Sequence, residues 1–215
     1  MVDSYRHKGM RKKLVESIRK KGITNEVILE AINKIPRHLF LDSSFVEYAY
    51  EDKPFPIGSG QTISQPYTVA FQTEILEITK GSKVLEIGSG SGYQACVLEE
   101  IGAKVFSIER QRKLYHKTKK FIENLGYKIK FFYGDGFKGV PSFAPYDRIL
   151  ITAAAPEIPE KLLQQLKVGG KLVIPLGKGD TQTMLRLTKL PNGEVTEETF
   201  GAFRFVPMLK EKADD

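Results

Sequence analysis

Cysteine and histidine are scarce in this chain of 215 residues, which contains one cysteine and three histidines. A single Cys96 excludes an internal disulfide framework. His7, His38 and His116 are widely separated in the sequence and form no metal-binding motif, although folding can bring distant residues together. The sequence therefore predicts no metal centre, and we interpret Cys96 as a small core residue.

Long apolar runs are also missing. No segment approaches the roughly 20 apolar residues that are needed to span a bilayer. The first 22 residues carry lysines and arginines throughout, where a signal peptide would need an apolar centre. We therefore expect a soluble cytoplasmic protein with no membrane association.

The composition is that of a globular chain, with 41% hydrophobic and 27% charged residues. The net charge of +7 permits binding to nucleic acid but does not demonstrate it, because a lysine excess is usually a solvated surface. No composition change marks a linker, so we predict one domain over 1–215. Its expected parts are N-terminal helices and a loop (1–80), an α/β core (81–177) and C-terminal strands (178–215).

Helical spacing of apolar residues is found near the N-terminus, where Leu14, Val15 and Ile18 share one face. Gly22 ends this helix, and a second is expected from Glu26 to about Lys34. The segment 42–66 is rich in Gly, Pro, Ser and Tyr and shows little periodicity, which favours a functional loop over a linker.

From residue 83 onward, short apolar runs alternate with amphipathic stretches. The expected strands are KVLEI, KVFSI, KIKFFY, YDRILITAA and GKLVIP, and the expected helices cover 91–101, 110–125 and 156–166. This alternation predicts a doubly wound, Rossmann-like α/β sheet. QTMLRLTKL and FGAFRFVPM, joined by the turn at 191–193, favour an antiparallel addition at one edge and bring the count to about seven strands.

A glycine-rich turn follows the first of these core strands. VLEI leads directly into Gly88-Ser89-Gly90-Ser91-Gly92 and a helix, so backbone amides are expected to face a ligand above the sheet. The spacing is not the G-x-G-x-x-G of dinucleotide sites, which disfavours pyrophosphate binding. A nucleoside with an amino-acid tail, such as S-adenosylmethionine, would still use the close backbone approach, although the glycines alone could form a simple tight turn.

Two acidic residues end the next strands. Glu109 is placed to accept hydrogen bonds from both hydroxyls of a ribose, or to cap the helix that begins near Arg110. Asp135 and Gly136 form a GDG turn after the third strand, where the carboxylate or the neighbouring amide could meet the adenine edge. Both positions sharpen the prediction of a nucleoside site.

These segments together resemble one enzyme family. The motifs are GQTISQPY at 60–67, VLEIGSGSGYQ at 84–94, IER at 108–110, GDG at 134–136, PYDRILITAAAPEIP at 145–159, LKVGGKLVIPLG at 166–177 and FVPM at 205–208, with IPRHLF and YEDKPFPIGSG upstream. In this combination the chain resembles the protein-L-isoaspartate O-methyltransferases. The glycine loop alone would indicate only a class I methyltransferase, whereas the GQTISQP block makes the resemblance specific.

The resemblance implies a repair enzyme with a class I S-adenosylmethionine-dependent methyltransferase fold. The family transfers a methyl group from S-adenosylmethionine, leaving S-adenosylhomocysteine, to the free α-carboxylate of L-isoaspartyl residues in damaged proteins and peptides. The ester then closes to a succinimide, which reopens partly to aspartate. The resemblance further implies a monomer, with no nucleic-acid partner.

The family's site residues map onto this chain by motif. Ser64 matches the active-site residue, and we expect its hydroxyl to orient the substrate carboxylate. The expected cofactor contacts are Gln61, Thr62, Ile63, Glu86, Gly88, Ser89, Gly90, Glu109, Asp135 and Gly136. Glu86 is expected to reach the amino group of the methionine portion, directly or through water, or else to serve the geometry of the following helix. Pro207 is expected to help close the site.

Three rival interpretations remain. A nucleic-acid methyltransferase acting on amines would often carry an Asn/Asp-Pro-Pro-Tyr-like block where this chain has TAAAP at 152–156, and Cys96 is in the wrong place for attack on cytosine. A catalytically silent nucleoside-binding protein would not need the intact GQTIS block. A small-molecule methyltransferase would leave the loop at 56–67 unexplained.

Overall fold

The structure is a computed structural model that describes residues 2–214. Its α-helices are α1 (Tyr5–Lys20), α2 (Glu26–Lys34), α3 (Pro66–Ile75), α4 (Tyr93–Glu100), α5 (Arg112–Asn124) and α6 (Glu160–Gln165). Its strands are β1 (Phe55–Gly58), β2 (Gln61–Ile63), β3 (Lys83–Ile87), β4 (Lys104–Glu109), β5 (Lys130–Tyr133), β6 (Tyr146–Ile151), β7 (Leu166–Leu176), β8 (Gln182–Lys189) and β9 (Val195–Phe203). Short 3₁₀ turns cover Arg37–Phe40, Ser43–Tyr48 and Pro141–Phe143.

Seven strands form the main sheet in the order β5-β4-β3-β6-β7-β8-β9. The five strands from β5 to β7 are parallel, and β8 and β9 continue the sheet in antiparallel fashion. The predicted doubly wound sheet with an antiparallel C-terminal addition is therefore confirmed. The strand order reverses between β3 and β6, the place where ligands bind in sheets of this kind.

Alternate residues of the strands supply two cores, one on each face of the sheet. On β3, Val84 belongs to a cluster that also contains apolar residues of α1 to α5, such as Leu14 and Leu98. Its neighbour Leu85 belongs to the opposite cluster, which includes Leu162 of α6. The N-terminal helices thus pack into the same core as the sheet.

The N-terminal helices begin and end at the expected places. The Asn25 side chain accepts hydrogen bonds from the amides of Val27 (3.1 Å) and Ile28 (3.4 Å), which satisfies two otherwise free donors at the start of α2. Gly22, just after α1, has φ +102°, a conformation that favours glycine. In the described range, no helix combines the length and the apolar character that crossing a membrane would require.

Two segments differ from the sequence-based expectation. The expected loop at 42–66 contains an antiparallel hairpin, β1 paired with β2, whose strands are too short to show an alternating pattern. The last strand begins at Val195 and ends at Phe203, before most of the predicted FGAFRFVPM strand. As an edge strand, β9 is exposed at most positions, so its polar first half, VTEET, carried no burial signal.

Candidate active site

A cavity opens at the carboxyl ends of β3, β4 and β6. The space between its walls, counted out to its open mouth, is about 820 Å³. Its walls are formed by residues 61–64, Val69, 87–91, 93–94, 108–110, Gly136, 152–153 and 206–209. The structure thus gathers the predicted site residues around one cavity, except Glu86 and Asp135.

The glycine turn shapes this cavity, but its amides are already used. Gly88 and Ser89 both donate to the carbonyl of Ile108, at 2.9 and 3.3 Å, and Gly90 donates to the Glu109 carboxylate at 2.9 Å. These three amides are therefore bonded within the protein. The turn instead offers a surface of backbone without side chains, against which a ligand can lie closely.

Glycine is required at two positions of the wall. Gly88 has φ +99°, and a Cβ there would lie 2.7 Å from the Oγ1 atom of Thr152. A Cβ at Gly136 would lie 2.5 Å from the Cγ2 atom of Ile87. Any side chain at either position would displace the ends of β3 and β6, and with them the cavity wall.

Glu109 is held rigidly on the cavity wall. Its two carboxylate oxygens accept hydrogen bonds from the amides of Gly90 and Gln111, both at 2.9 Å. Burial raises the pKa of Glu109, and the two amides oppose that rise. Each oxygen retains a free lone-pair direction. The carboxylate can therefore support the start of α5 and still accept two hydroxyls from a ligand, so both sequence-based interpretations are compatible with the geometry.

Glu86 lies behind the wall and does not line the cavity. It is fully buried and accepts a hydrogen bond from the hydroxyl of Ser107, which lies 2.6 Å from the hydroxyl of Ser89 on the wall. Burial raises the pKa of Glu86 to about 8, against the effect of the Ser107 hydrogen bond. The expected direct approach of Glu86 to a ligand is thus not observed. It instead supports Ser89 through Ser107.

Asp135 also turns away from the cavity. Its Oδ1 atom accepts a hydrogen bond from the amide of Phe137 at 2.9 Å, which stabilises the GDG turn. Asp135 lines a separate neighbouring cavity together with Lys138, whereas Gly136 lines the central one. The turn therefore reaches the central cavity through its glycine.

Ser64 lies where the central cavity meets a wider groove. Four residues line both spaces: Thr62, Ser64, Thr152 and Val206. The groove continues along Lys21, Gln65, Tyr67 and the segment 202–206. A hydroxyl at this junction can contact one ligand in the cavity and another in the groove, which is the arrangement that a transfer reaction between two molecules needs.

A buried arginine positions the Ser64 backbone. The guanidinium of Arg37 donates to the carbonyls of Ser64 (2.9 Å) and Ala49 (3.1 Å), and lies 5.0 Å above the ring of Tyr93. Arg37 has no exposed surface, and burial lowers its pKa to about 10, so it stays charged at neutral pH. This cation lies directly behind the loop that carries Ser64.

Asp52 holds the other side of the same loop. Its carboxylate accepts hydrogen bonds from the amide of Tyr67 (2.7 Å) and the side chain of Gln65 (3.1 Å), and it pairs with Lys21 at 2.5 Å. The sequence analysis assigned no role to Arg37 or Asp52. Both lie within the IPRHLF and YEDKPFP motifs, so the signal was present, but the motifs did not show which loop these side chains would reach.

The C-terminal segment closes one side of the cavity. The Ala154 amide donates to the carbonyl of Val206, and the Met208 amide donates to the carbonyl of Ala154, both at 2.8 Å. These bonds place Pro207 and Met208 on the wall, as expected. Beyond them, Ala213 exchanges backbone hydrogen bonds with the chain at 110–112, so the tail that carried no motif is attached to the end of β4.

The histidines are less scattered in space than in sequence. The rings of His7 and His38 are stacked with their centroids 3.8 Å apart, and both lie close to Asp3. Folding thus brings together two of the three histidines that are widely separated in the sequence. His116 lies exposed on α5. Cys96 is fully buried, as predicted for a core residue.

Comparison with known proteins agrees with this geometry. The chain is 61% identical over 213 residues to a protein-L-isoaspartate O-methyltransferase of Christiangramia forsetii, covering 99% of this chain and 100% of that protein. It is 60% identical to one of Cytophaga hutchinsonii, covering 97% of this chain and 95% of the other.

Solved structures show the same likeness. A protein-L-isoaspartate O-methyltransferase structure superposes with a TM-score of 0.83 and 35% identity, over 92% of this chain and 65% of that one. A Plasmodium falciparum protein described as such a methyltransferase, in complex with S-adenosyl-L-homocysteine, superposes with a TM-score of 0.82 and 25% identity, over 94% of this chain and 99% of the other.

A family model spans nearly the whole described chain. The protein-L-isoaspartate(D-aspartate) O-methyltransferase model matches residues 9–213, which include every wall of the cavity and groove. With this match and a relative that is 61% identical over 99% of this chain, the chain belongs to the protein-L-isoaspartate(D-aspartate) O-methyltransferase family.

Proposed function

We propose that the cavity binds S-adenosylmethionine, that the groove presents an isoaspartyl residue of a damaged protein, and that Ser64 at their junction orients the substrate carboxylate. The observation that carries this assignment is that Ser64 lines both spaces. The proposal extends to a monomeric cytoplasmic enzyme that needs no nucleic acid.

Family membership gives the reaction. The chain is an S-adenosylmethionine-dependent O-methyltransferase acting on the α-carboxylate of L-isoaspartyl residues, a protein-repair activity. When bound, S-adenosylmethionine supplies a methyl group on a positively charged sulfur. An α-carboxyl group has a pKa of about 3.3 to 3.7, so the substrate oxygen is already ionised near neutral pH. The site therefore needs no general base, which fits the absence of histidine from the cavity wall over residues 2–214.

The residues present fit the cofactor. Glu109 offers two fixed oxygens for the ribose hydroxyls, and the side-chain-free surface of Gly88 and Gly90 leaves room for the ligand. Gln61, Thr62, Ile63 and Gly136 complete the wall around these residues. Glu86 and Asp135, which do not line the cavity, would act indirectly by supporting Ser89 and the GDG turn.

The protein contributes to the reaction mainly by positioning. Arg37 fixes the Ser64 carbonyl and Asp52 fixes the amide of Tyr67, so the loop is held from both sides. The buried charge of Arg37 lies close to the loop and favours an anionic group in front of it. Ser64 then needs only to donate a hydrogen bond to the carboxylate, since nothing beside it would activate it as a nucleophile.

The groove has the features of a site for extended peptide. It is lined by the aromatic rings of Tyr67 and Phe203 and by the basic residues Lys21 and Arg204. Aromatic rings can pack against an extended peptide, and cationic groups can attract the free α-carboxylate of its isoaspartyl residue. These groups favour a peptide over a small metabolite as the second substrate.

The test is methyl transfer to two synthetic peptides that differ only in carrying isoaspartate or aspartate at one position. With labelled S-adenosylmethionine, we expect label on the isoaspartyl peptide alone, and we expect that label to be lost in mild base because the product is an ester. Glu109→Gln tests the cofactor site. Its side-chain NH₂ group would face one of the two backbone N–H donors, which now donate to carboxylate oxygens.

Equal labelling of both peptides would contradict the proposed selectivity of the groove. Labelling of RNA in place of either peptide would favour the nucleic-acid rival. Binding of S-adenosylhomocysteine without turnover would favour the binding-protein rival.

A further inference from the structure

Four partly exposed aromatic side chains line the groove beside Ser64: Tyr67, Phe200, Phe203 and Phe205. The tyrosine follows Ser64 by three residues, whereas the three phenylalanines come from the end of β9 and the segment after it. Large apolar side chains are mostly buried in soluble proteins, and a contiguous exposed group of them is a usual mark of a binding site. The groove therefore offers an apolar surface next to the proposed reaction centre.

Three of these rings belong to one cluster around Phe71 of α3. The centroid of the Phe71 ring lies 5.9 Å from that of Tyr67, 6.1 Å from that of Phe200 and 5.1 Å from that of Phe203. These separations are those of packed aromatic pairs. The rings are therefore held by one another before a ligand arrives, so that little side-chain entropy remains to be lost when a ligand packs against them.

A β-bulge in β9 brings two of the rings to the same face. The register of β9 against β8 shifts within 199–202, where β9 has one residue more than its partner. Gly201, inside this bulge, has φ +92°, a conformation that favours glycine. In a regular strand, Phe200 and Phe203 would point to opposite faces because they are three positions apart. The bulge instead turns both rings toward Phe71, and bulges of this kind often re-aim side chains beside active sites.

The charged groups of the groove are cationic or already paired. The ammonium of Lys21 lies 5.5 Å from the centroid of the Tyr67 ring and pairs with the Asp52 carboxylate at 2.5 Å. Arg204, which also lines the groove, is exposed to solvent and keeps its hydration. An apolar side chain on the rings therefore leaves no buried charge without a partner, whereas a basic side chain would meet two cations.

We propose that this aromatic surface is a subsite for an apolar side chain next to the isoaspartyl residue of the substrate. The inference rests on the proposed function, because the groove continues from Ser64, where the substrate carboxylate would lie. An extended chain advances about 3.3 to 3.6 Å per residue, so the neighbour of the isoaspartyl residue falls within the groove. The contact is the same before and during methyl transfer, so it lowers KM and not the barrier to the transfer itself. Damaged sites with apolar neighbours are then the preferred substrates.

The experiment measures KM and kcat of the full chain on isoaspartyl peptides that carry phenylalanine, serine or lysine on one side of the isoaspartate, each side being varied in turn. On one of the two sides, we expect the KM of the phenylalanine peptide to lie about tenfold or more below that of the serine peptide, with the lysine peptide highest and kcat similar. In Phe203→Ala this preference should largely disappear, and Phe203→Leu should restore most of it. Tyr48→Ala, at an exposed aromatic residue that lines neither space, should keep the full preference.

Binding of S-adenosylhomocysteine, measured by calorimetry, shows which variants are folded, and Phe200→Ala serves if Phe203→Ala is not. The subsite is overturned if the phenylalanine and serine peptides have equal KM values on both sides, if the preference survives in a folded alanine variant of the groove, or if Tyr48→Ala loses it equally. Equal methylation of all isoaspartyl peptides would overturn the subsite alone and leave the proposed function intact. Absence of label from every isoaspartyl peptide would overturn both.

Discussion

Ser64 supplies a hydroxyl to the junction between the cavity and the groove. In the proposed role it donates one hydrogen bond to a charged carboxylate, an interaction worth about 1.5 to 3 kcal/mol. Ser64→Ala should therefore lower the rate of methyl transfer to an isoaspartyl peptide by roughly ten- to a hundredfold. Steady-state kinetics with both substrates varied would measure this loss.

The matched control is Ser44→Ala, an exposed serine in the same 42–66 segment that lines neither space. It should leave the kinetics unchanged. If Ser64→Ala retains full activity, the substrate carboxylate is held by other groups, and the assignment of Ser64 is wrong.

The buried Glu86 leads to a second prediction, which concerns the stability of the folded chain and not catalysis. Its pKa is raised to about 8 in the folded chain by burial. Between the ordinary pKa of a glutamate and about pH 8, the folded state keeps a proton that the unfolded chain releases, so stability falls as the pH rises through this window. At about 1.4 kcal/mol per pKa unit, the loss between pH 6 and pH 8 is roughly 2 kcal/mol.

Glu86→Gln should remove that pH-dependent loss, because the amide has a similar shape and does not titrate. We expect urea unfolding at pH 6 and pH 8 to show a smaller fall in the free energy of unfolding for this variant than for the unmodified chain. Glu123→Gln, on an exposed turn of α5, is the control. An equal fall in both proteins would mean that Glu86 is ionised in the folded state.

For single residues, the sequence predicted positions along the strands but not the directions in which the side chains point. The motifs predicted that Glu86, Glu109 and Asp135 lie at or just beyond the carboxyl ends of neighbouring strands, and the structure confirms these positions. Only Glu109 faces the cavity. The residue that ends a strand can be assigned from the sequence, but its side-chain direction depends on tertiary neighbours such as Ser107 and Phe137, which no local pattern specifies.

Among the elements, the 3₁₀ turn at Arg37–Phe40 has the largest effect on the site. Arg37 reaches from this turn to the carbonyls of Ser64, Ala49 and, at 3.4 Å, Lys53. Lysine keeps the charge but cannot reproduce the planar set of donors. Arg37→Lys should therefore lower kcat by roughly ten- to a hundredfold through misplacement of Ser64.

The affinity of Arg37→Lys for S-adenosylhomocysteine distinguishes a misplaced Ser64 loop from a general loss of structure. Because Arg37 contacts the loop and not the glycine turn, we expect binding of this product, measured by calorimetry, to change much less than kcat. Arg6→Lys, at an arginine whose side chain is 72% exposed on α1, should change neither quantity. A parallel loss of binding and kcat would mean that Arg37 supports the whole fold instead of the Ser64 loop.

Elements with strong periodicity were predictable and short ones were not. The helix at Glu26–Lys34 and the parallel strands follow from apolar spacing and caps, and the structure reproduces them. The strands of the hairpin β1–β2 are too short to show such spacing, and the polar half of β9 lacks it because it is largely exposed. The glycine turn was located correctly, but the sequence does not show that Ile108 and Glu109 accept hydrogen bonds from its first three amides.

At the scale of the whole molecule, the strand order assembles the site from distant segments. Residues near 63, 88, 109, 136, 152 and 207 meet because the parallel strands end at one edge of the sheet and the flanking segments fold over it. The sequence could predict this edge from the strand pattern. It could not predict that Asp3, His7 and His38 would meet, because these residues come together only after α1 and α2 have packed.

The shared core leads to a prediction about the domain as a whole. Leu14 of α1, Ile32 of α2 and Val84 of β3 belong to one buried cluster, so unfolding the N-terminal helices would expose the same core that supports the sheet. Hydrogen exchange in rising urea should therefore give the amides of α2 and β3 the same free energy of opening. Residues of β9, at the sheet edge, should exchange sooner and serve as the internal reference. Opening of α1 and α2 at clearly lower urea than β3 would instead divide the chain near residue 80 into two separately unfolding units, and the single-domain prediction would be wrong.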